Sequence, residues 1–479
     1  MNKLRSLPLP LRLFGLALLL RLLPVLLAVH LPIGLDDMFQ YDMLARSLAA
    51  GQGFRWYGQE DIDLIRQFIA IDFIGDYDPR GVLTSFRAPG YPALLAAIYA
   101  ISGLQWRLLA ARLAQAVLGA SLAPLTYWLT QRLFPGNQQA ARFAGGALAV
   151  YPMLLLYPLA LATENLFIPL VAAGLLATLA AVEHDRARDY LLAGALFGLA
   201  TLTRSVIFGF VGLAVLWLWF YAPRRSAALY FLLAVLVFVV PWSLRNSLLH
   251  GKPTFVENSM GYNLHMGFHP QGNGTFQFGI SLELVPYLDD SLRNDLGTQA
   301  GLEFIRQDPG RALRLAADKL GFFFSLERRA LTYFYGNDFF GHIPSLPLAA
   351  LFAVFTLPFP LLTSLAAAGL PFAGRLAHIS RQRVLLYLLI AGYTLPHLIL
   401  IAEDRFHMAL LPGIAALAGD TWTRRAELTA AARAQRWRLG LAALLLALLW
   451  LNWGGEIWRD WEKLTILFGP EGNRAGFSY

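Results

Sequence analysis

The chain has 479 residues, of which 57% are hydrophobic and only 15% are charged, and its mean hydropathy is +0.51. Soluble domains carry about a quarter charged residues, so this composition indicates a membrane protein. The formal net charge is +8, but the basic residues lie in short loops between apolar segments, which is typical of membrane orientation and excludes a nucleic-acid-binding role. The sequence contains no cysteine, which excludes disulfides and thiolate chemistry.

A basic N-terminus precedes a long apolar segment at 9–31, which no small-residue cleavage pattern follows. This segment is predicted to be an uncleaved first span. It contains Arg21, whose guanidinium either faces protein or reaches the inner interface; the second alternative is the expected one. The polar loop at 32–88 contains two helix-like pieces, 38–50 and 60–70, and the apolar residues of the second share one face, as in a helix that lies on a membrane surface.

Apolar segments that favour further spans recur to the end of the chain, and a second polar stretch at 247–344 divides them. Their number predicts about eleven spans, within a range of nine to thirteen. Six of them lie between the first polar loop, which is expected outside, and a basic loop at 223–225, which is expected inside. An odd number of crossings must connect opposite sides of the membrane. One of the six is therefore not a full crossing, or two of them form one helix. The segments are 89–103, 107–131, 139–157, 159–181, 189–203, 205–221, 226–246, 345–371, 383–401, 406–420 and 438–453.

Basic residues concentrate at 375–383 and 422–438, which places these stretches inside the cell and both polar loops, with the C-terminal tail, outside. The predicted fold class is therefore an all-α, polytopic membrane protein. It is divided into an N-terminal transmembrane module (1–246) that includes the first outer loop, a second outer loop (247–344) with interfacial helices, and C-terminal helices with an outer tail (345–479). The stretch 294–327 predicts two helices broken at Asp308-Pro309, which act either as a lid or as a support on the membrane surface.

Two adjacent acids, Asp36 and Asp37, follow the first span. A carboxylate at the membrane boundary can accept a proton from a hydroxyl or amine nucleophile. The alternative is a helix cap, because aspartate is favoured at the start of a helix and residues 38–50 resemble one.

The first outer loop ends in Arg87, followed by Pro-Gly-Tyr-Pro. Proline suits the first turn of a helix, so this stretch predicts a sharp return into the membrane with a cation at its edge. The arginine is either an interfacial anchor or a ligand for a phosphate.

These two stretches together resemble the bacterial glycosyltransferases of family 39. Those are GT-C enzymes related to protein O-mannosyltransferases and to the lipid A aminoarabinose transferase. The resemblance is carried by a first-loop motif, by the Arg-x-Pro-Gly-Tyr-Pro sequence, and by four later stretches at 151–167, 198–208, 241–268 and 402–419, in the same order along the chain. The first-loop motif consists of Asp37, Tyr41, Ala45, Leu48, Gly51 and Gly53.

The resemblance implies a GT-C fold and transfer of a sugar from a polyprenyl-phosphate carrier to a lipid, glycan or protein acceptor. The reaction would take place at the outer face of a bacterial inner membrane. Asp37 matches the acid of the family's first outer loop and would be the general base, with Asp36 as the alternative. Many members have Asp-Glu at this point, whereas this chain has Leu35-Asp36-Asp37-Met38, so the role of a second acid stays open.

A departing carrier phosphate needs cations to stabilise its charge. The candidates are Arg87, Arg405, Arg112 and Arg245, and Arg204 is the alternative case of an arginine that bridges helices. Further candidates for the site are Tyr41, Glu164, Glu403 and His265.

His265 and His269 lie close to Glu257 and Asn258 in the second outer loop. Such a group can hold a divalent ion, but the more expected role is that of hydrogen-bonded loop histidines. No cofactor is firmly predicted, and a divalent metal is one alternative. Asp338, His342 and His407 are weaker candidates.

Two rival functions remain, namely a flippase or transporter for lipids or sugars, and a non-catalytic membrane scaffold. The sequence shows no inverted repeat, and its acids lie in a loop rather than at the membrane midplane, which favours the enzyme over a transporter.

Overall fold

The computed structural model describes residues 7–328, 343–372 and 380–469. Asp338, His342 and the end of the tail (470–479) lie outside the described residues. In the described part the protein is α-helical apart from one two-stranded ribbon, which agrees with the predicted all-α class. The N-terminal part contains α1 (Leu9–Leu27), α2 (Asp37–Ala49), β1 (Arg55–Trp56), α3 (Gln59–Ile65), β2 (Val82–Leu83), α4 (Gly90–Ser102), α5 (Arg107–Leu133), α6 (Gln138–Val150), α7 (Pro152–Leu156), α8 (Glu164–His184), α9 (Ala187–Thr203), α10 (Phe208–Tyr221) and α11 (Ser226–His250).

The second half is also built from helices, four of which lie within the described part of the second outer loop (247–344). It contains α12 (Met260–Phe268), α13 (Phe278–Ser281), α14 (Asp290–Gln307), α15 (Pro309–Phe323), α16 (Ser345–Thr356), α17 (Pro358–Gly369), α18 (Arg381–Ile399), α19 (Leu411–Thr423), α20 (Arg425–Ala434), α21 (Arg436–Arg459) and α22 (Trp461–Leu467). Short 3-10 turns lie at Tyr157–Leu159, Ser205–Ile207, Leu370–Phe372 and Asp404–Leu410.

Six stretches of the described chain are helical, long and apolar enough to cross a bilayer, so the estimate of about eleven spans is not confirmed. The difference lies partly in broken or short helices. The predicted segment 139–157 bends by 48° between α6 and α7 and would be a seventh span if the pair crosses together. Two other predicted spans are short apolar helices, Gly90–Ser102 and Ser205–Tyr221. The six are Leu9–Leu27, Arg107–Leu133, Glu164–His184, Ser226–His250, Ser345–Phe372 and Arg436–Arg459.

Arg21 does not reach toward the interface, contrary to expectation, but is fully buried. Its guanidinium donates hydrogen bonds to the carbonyl oxygens of Ala17, Leu148 and Ala149 at 3.1–3.2 Å. The last two belong to the final turn of α6, where carbonyls have no partner within the helix. Gly119 leaves space for the guanidinium, since a Cβ there would lie 3.1 Å from Nε of Arg21. Arg21 therefore supplies hydrogen-bond donors to the carbonyl oxygens at the end of α6, where the apolar segment breaks.

The first outer loop has a small hydrophobic core, formed by α2, α3 and the antiparallel β1–β2 ribbon and completed by Leu288 of the second outer loop. The predicted helix at 60–70 is shorter in the structure, ending at Ile65. Ile62 and Ile65 are buried in the loop core, whereas Phe68 is 69% exposed. The apolar face of this helix therefore packs mainly against protein.

The two outer loops are joined at Asp290, which lies at the start of α14 and forms a buried ion pair with Arg293 one turn later. Asp290 also accepts hydrogen bonds from the hydroxyl of Thr84 (2.7 Å) and from the backbone N–H of Ser85 (2.6 Å). These contacts position the chain immediately before Arg87.

We expect Asp290→Ala to destabilise the protein by about 3–5 kcal/mol, because it leaves the guanidinium of Arg293 buried without its charge partner. The matched control is Asp295→Ala in the same helix, where Asp295 forms an exposed pair with Lys252. Exposed pairs contribute about 0–1 kcal/mol. Thermal unfolding of both purified variants checks this, and equal melting temperatures would contradict it.

The predicted helix break at Asp308-Pro309 is confirmed. Asp308 ends α14 and caps α15, accepting a hydrogen bond from the backbone N–H of Arg311 at 2.8 Å. The guanidinium of Arg311 in turn donates to the carbonyl oxygens of Phe268, His269 and Gly272 at 2.7–2.9 Å. The helix pair thus holds the segment that follows α12.

Candidate active site

A cavity of about 1080 Å³ lies where the two outer loops meet the helix ends. Its wall combines charged side chains with aromatic and aliphatic ones. The lining comes from the first loop, from α7 and the turn before α8, from residues 203–208, from the second loop, and from residues 396–406. Among the sequence-predicted residues, those on this wall are Asp36, Asp37, Tyr41, Arg87, Glu164, Arg204, Glu257, Asn258, Glu403 and Arg405.

Asp37 is held between two arginines on the cavity wall. One carboxylate oxygen accepts from Arg87, and the other accepts from Arg405 at 2.9 Å. The three side chains are 21–30% exposed, so they are sheltered but can be reached from the cavity. The first loop and a segment 368 residues further on thus meet at one carboxylate.

The local fold explains why Asp37 rather than Asp36 is so placed. Asp36 is the N-cap of α2 and accepts a hydrogen bond from the backbone N–H of Met38 at 2.9 Å. Asp37 is therefore the first residue of the helix, where its charge also interacts favourably with the helix dipole. Asp36 has the capping role that the sequence offered as the alternative for either acid, although it too lines the cavity.

Arg87 is oriented by Gln40, one turn after Asp37 on α2. The amide oxygen of Gln40 accepts from two nitrogens of the guanidinium, at 2.9 and 2.7 Å. The turn after Arg87 packs tightly, since a Cβ on Gly90 would lie 2.8 Å from the hydroxyl of Thr203. This close approach accounts for the glycine in the Pro-Gly-Tyr-Pro sequence.

The electrostatic environment separates the two acids. Burial raises the pKa of Asp37, but the guanidiniums of Arg87 and Arg405 outweigh it and hold the pKa well below its usual range. Burial and the neighbouring charge of Asp37 raise the pKa of Asp36. Burial likewise raises the pKa of Tyr41 to about 12. Asp37 is therefore ionised at neutral pH and Tyr41 is neutral.

A second ion pair, between Glu164 and Arg204, lies on the same wall at 2.5 Å. The guanidinium of Arg204 also lies 4.7 Å from the ring centre of Phe406, next to Arg405 in the chain. Arg204 thus links helix ends, as in the bridging alternative, and lines the cavity as well. Glu403 accepts a hydrogen bond from Nε of Arg405 at 2.7 Å, while another nitrogen of the same guanidinium pairs with Asp37.

The other two predicted phosphate ligands lie away from the cavity wall. Arg112 is fully buried and donates to the carbonyl oxygen of Leu159 at 3.0 Å. Arg245 donates to the carbonyl oxygen of Thr84 at 2.6 Å. Both guanidiniums stabilise backbone carbonyls, and neither residue is brought to the Asp37 cluster.

His265 and His269 do lie together, but outside the cavity lining. They share a third residue, Glu283, which the sequence analysis missed. It follows the second histidine by fourteen residues, a spacing that carries no recognisable signal. His407 is fully buried and bonds to Glu327 at 3.0 Å.

Residues 87–244 match the family described as dolichyl-phosphate-mannose-protein mannosyltransferase, which confirms the resemblance inferred from the motifs. The match includes Arg87, Glu164 and Arg204, whereas Asp37 and Arg405 lie outside it. No curated protein matches the chain.

The structure is similar to that of the Archaeoglobus fulgidus oligosaccharyltransferase tethered to an acceptor peptide, with 14% identity and a TM-score of 0.50. The alignment covers 97% of this chain and 58% of the other. The chain has the GT-C fold. The same archaeal enzyme without ligand aligns with a TM-score of 0.49 and 16% identity, over 98% of this chain and 61% of that one.

A third similar structure is ArnT from Cupriavidus metallidurans bound to undecaprenyl phosphate, with a TM-score of 0.38 and 16% identity, over 86% of this chain and 78% of that one. This GT-C chain spans about three fifths of the length of the archaeal oligosaccharyltransferase.

Proposed function

We propose that this protein is a membrane glycosyltransferase that transfers a sugar from a polyprenyl-phosphate carrier to an acceptor. The observation that carries the proposal is the carboxylate of Asp37, held between two guanidiniums on the wall of a large cavity. This arrangement combines a proton acceptor with the cations that a departing phosphate requires. The mannosyltransferase family match over residues 87–244 supports the same activity.

The carrier phosphate would bind to Arg87 and Arg405. Both guanidiniums are partly exposed to the cavity, and arginine binds phosphate through paired N–H groups. Their charge would stabilise the phosphate as the sugar–phosphate bond breaks, when negative charge on the leaving group increases. Gln40 and Glu403 would keep the two guanidiniums oriented.

Asp37 would act as the general base for the acceptor nucleophile. In the free protein its two ion pairs make it a weak base. A bound phosphate would draw both guanidiniums toward itself and add a negative charge nearby, and both changes raise the pKa of the carboxylate. Donor binding would thereby make Asp37 more basic, and attack from its side would invert the anomeric configuration by in-line displacement.

The polyprenyl tail would lie along the apolar part of the cavity wall. That part is formed by α7 and the turn that follows it, and by the 3-10 turn that leads into α10. Its side chains are those of Met153, Leu156, Leu159, Leu161, Val206 and Phe208.

We place the site at the outer face of a bacterial inner membrane. The two loops that form the cavity contact each other and so lie on one side of the helices. The basic stretch at 422–438 indicates that the opposite ends of the helices face the inside of the cell.

The low pKa of Asp37 predicts how activity depends on pH. Because kcat/KM reports the groups of the free enzyme, we expect no acid limb from Asp37 between pH 7 and 5. The carboxylate stays ionised until the pH falls below the usual aspartate range near about 3.9. An acid limb above the usual aspartate range that is lost in Asp36→Asn, together with most of the activity, would contradict this assignment and identify Asp36, whose pKa is raised, as the base.

The function is tested by incubating the purified protein in lipid nanodiscs with a panel of polyprenyl-phosphate sugars and an envelope lipid extract as acceptor. Mass analysis of donors and products is the readout. We expect one donor to lose its sugar and release polyprenyl phosphate. Movement of labelled carrier across a vesicle membrane with no sugar loss would instead identify a flippase.

A further inference from the structure

Three metal-ligating side chains converge outside the cavity, in the second outer loop. Nε2 of His265 lies 3.1 Å from one carboxylate oxygen of Glu283, and Nε2 of His269 lies 3.3 Å from the other. The three donor atoms all lie within 4.8 Å of one another. Both histidines are buried, whereas the glutamate side chain is 49% exposed, so the cluster opens to solvent on one side.

These separations fit a tetrahedral metal. Two ligands at about 2.1 Å from a zinc ion are roughly 3.4 Å apart in tetrahedral geometry. Two imidazoles and a carboxylate are also a donor set that zinc and related ions accept, with a fourth position left for water. The ring of Phe304 packs against both imidazoles and limits their rotation.

Hydrogen bonds from the two imidazoles to Glu283 would produce the same distances. Nδ1 of His265 has no hydrogen-bond partner among the described residues. Nδ1 of His269 accepts a long hydrogen bond from the backbone N–H of Gln271 at 3.3 Å. A direct measurement of zinc binding separates a metal site from this hydrogen-bonded cluster.

The cluster adjoins the segment that carries Arg405. The chain from His265 to Gly274, here called the strap, packs directly on residues 400–402. A Cβ on Gly267 would lie 2.0 Å from the carbonyl oxygen of Leu400, and Gly274 accepts a hydrogen bond from the N–H of Ala402 at 3.3 Å. Holding the strap in place therefore holds the approach to Glu403 and Arg405.

We propose that His265, His269 and Glu283 bind one divalent transition-metal ion of the zinc class. The ion fastens the strap against residues 400–402, which precede Glu403 and Arg405. It is structural, because its ligands do not line the cavity of Asp37.

The test is zinc binding by the full-length protein, purified without a polyhistidine tag and treated with a chelator. Zinc is added to the protein in nanodiscs, and bound metal is measured by elemental analysis together with the melting temperature. We expect one zinc per chain and a higher melting temperature. The conservative variant Glu283→Gln changes an exposed side chain and should bind zinc at least roughly tenfold more weakly.

The matched control is His184→Gln, which removes an exposed histidine paired with Asp189 at the other end of α8 from the cavity. It should bind zinc as the wild type does. Less than half an equivalent of zinc in the wild type, or equal affinity in Glu283→Gln, would overturn the proposal. Neither readout depends on sugar transfer, so this result is independent of the proposed activity.

Discussion

Asp37→Asn is expected to reduce the rate of sugar transfer by about 10²–10⁴-fold, the usual contribution of a general base. The amide keeps the size of the side chain but cannot accept the proton of the nucleophile. Binding of polyprenyl phosphate should be unchanged or tighter, because the carboxylate no longer competes for Arg87 and Arg405. Steady-state kinetics and a binding titration on the same preparation separate the two effects.

Asp36→Asn is the matched control for this prediction. Asparagine caps helices about as well as aspartate, so α2 should keep its start and activity should stay within about tenfold of the wild type. The assignment would be contradicted if Asp36→Asn lost transfer while Asp37→Asn retained it.

Replacing either guanidinium of the cluster is expected to have the second largest effect. Arg87→Gln and Arg405→Gln should each lower kcat/KM by about 10²–10³-fold, the loss typical of a group that stabilises charge in the transition state. Donor binding should weaken as well, because the same groups would hold the carrier phosphate before reaction. Lysine at either position should restore part of the activity, since it keeps the charge without the paired N–H groups.

Arg245→Gln is the control that the structure provides. The sequence offered Arg245 as a phosphate ligand equally with Arg405, but its guanidinium bonds to the Thr84 carbonyl away from the cavity wall. Donor affinity should therefore be unchanged in this variant. A loss of affinity in Arg245→Gln equal to that in Arg405→Gln would contradict the proposed phosphate site.

The parts of the site that the sequence predicted well are those close together in the chain. A helix at 38–50 with an aspartate as its possible cap, and the Arg87 turn, follow from local rules of helix starts and proline positions; which of the two acids is the cap does not. Gln40 was missed, although its position one turn after Asp37 placed it on the same helix face. The pairing with Arg405 spans 368 residues and depends on packing that no local pattern specifies.

Buried arginines were the hardest residues to place from the sequence. Arg21, Arg112 and Arg204 all lie in or beside apolar segments, and each has a different structural role. Arg21 and Arg112 satisfy carbonyls at broken helix ends, whereas Arg204 pairs with Glu164 on the cavity wall. The sequence does not reveal where a helix breaks and leaves carbonyls unpaired. A hydropathy pattern therefore cannot distinguish an arginine that bonds to such carbonyls from one that lines the cavity.

The span count was uncertain for the same physical reason. Apolar composition indicates what can lie in a bilayer, but not whether a helix continues through it. Pro152 begins a new helix after Tyr151 and bends the predicted segment 139–157, so one apolar stretch became two helices.

Release of the carrier is the most direct test of the central claim that Asp37 and its two arginines act on a sugar–phosphate bond. The measurement is the amount of free polyprenyl phosphate formed in a single turnover by wild-type protein and by Asp37→Asn, each with the donor that the panel identifies. The proposed mechanism predicts that carrier release and sugar transfer occur in equal amounts in the wild type, and that both are lost together in the variant. Equal carrier release by the two proteins would contradict it.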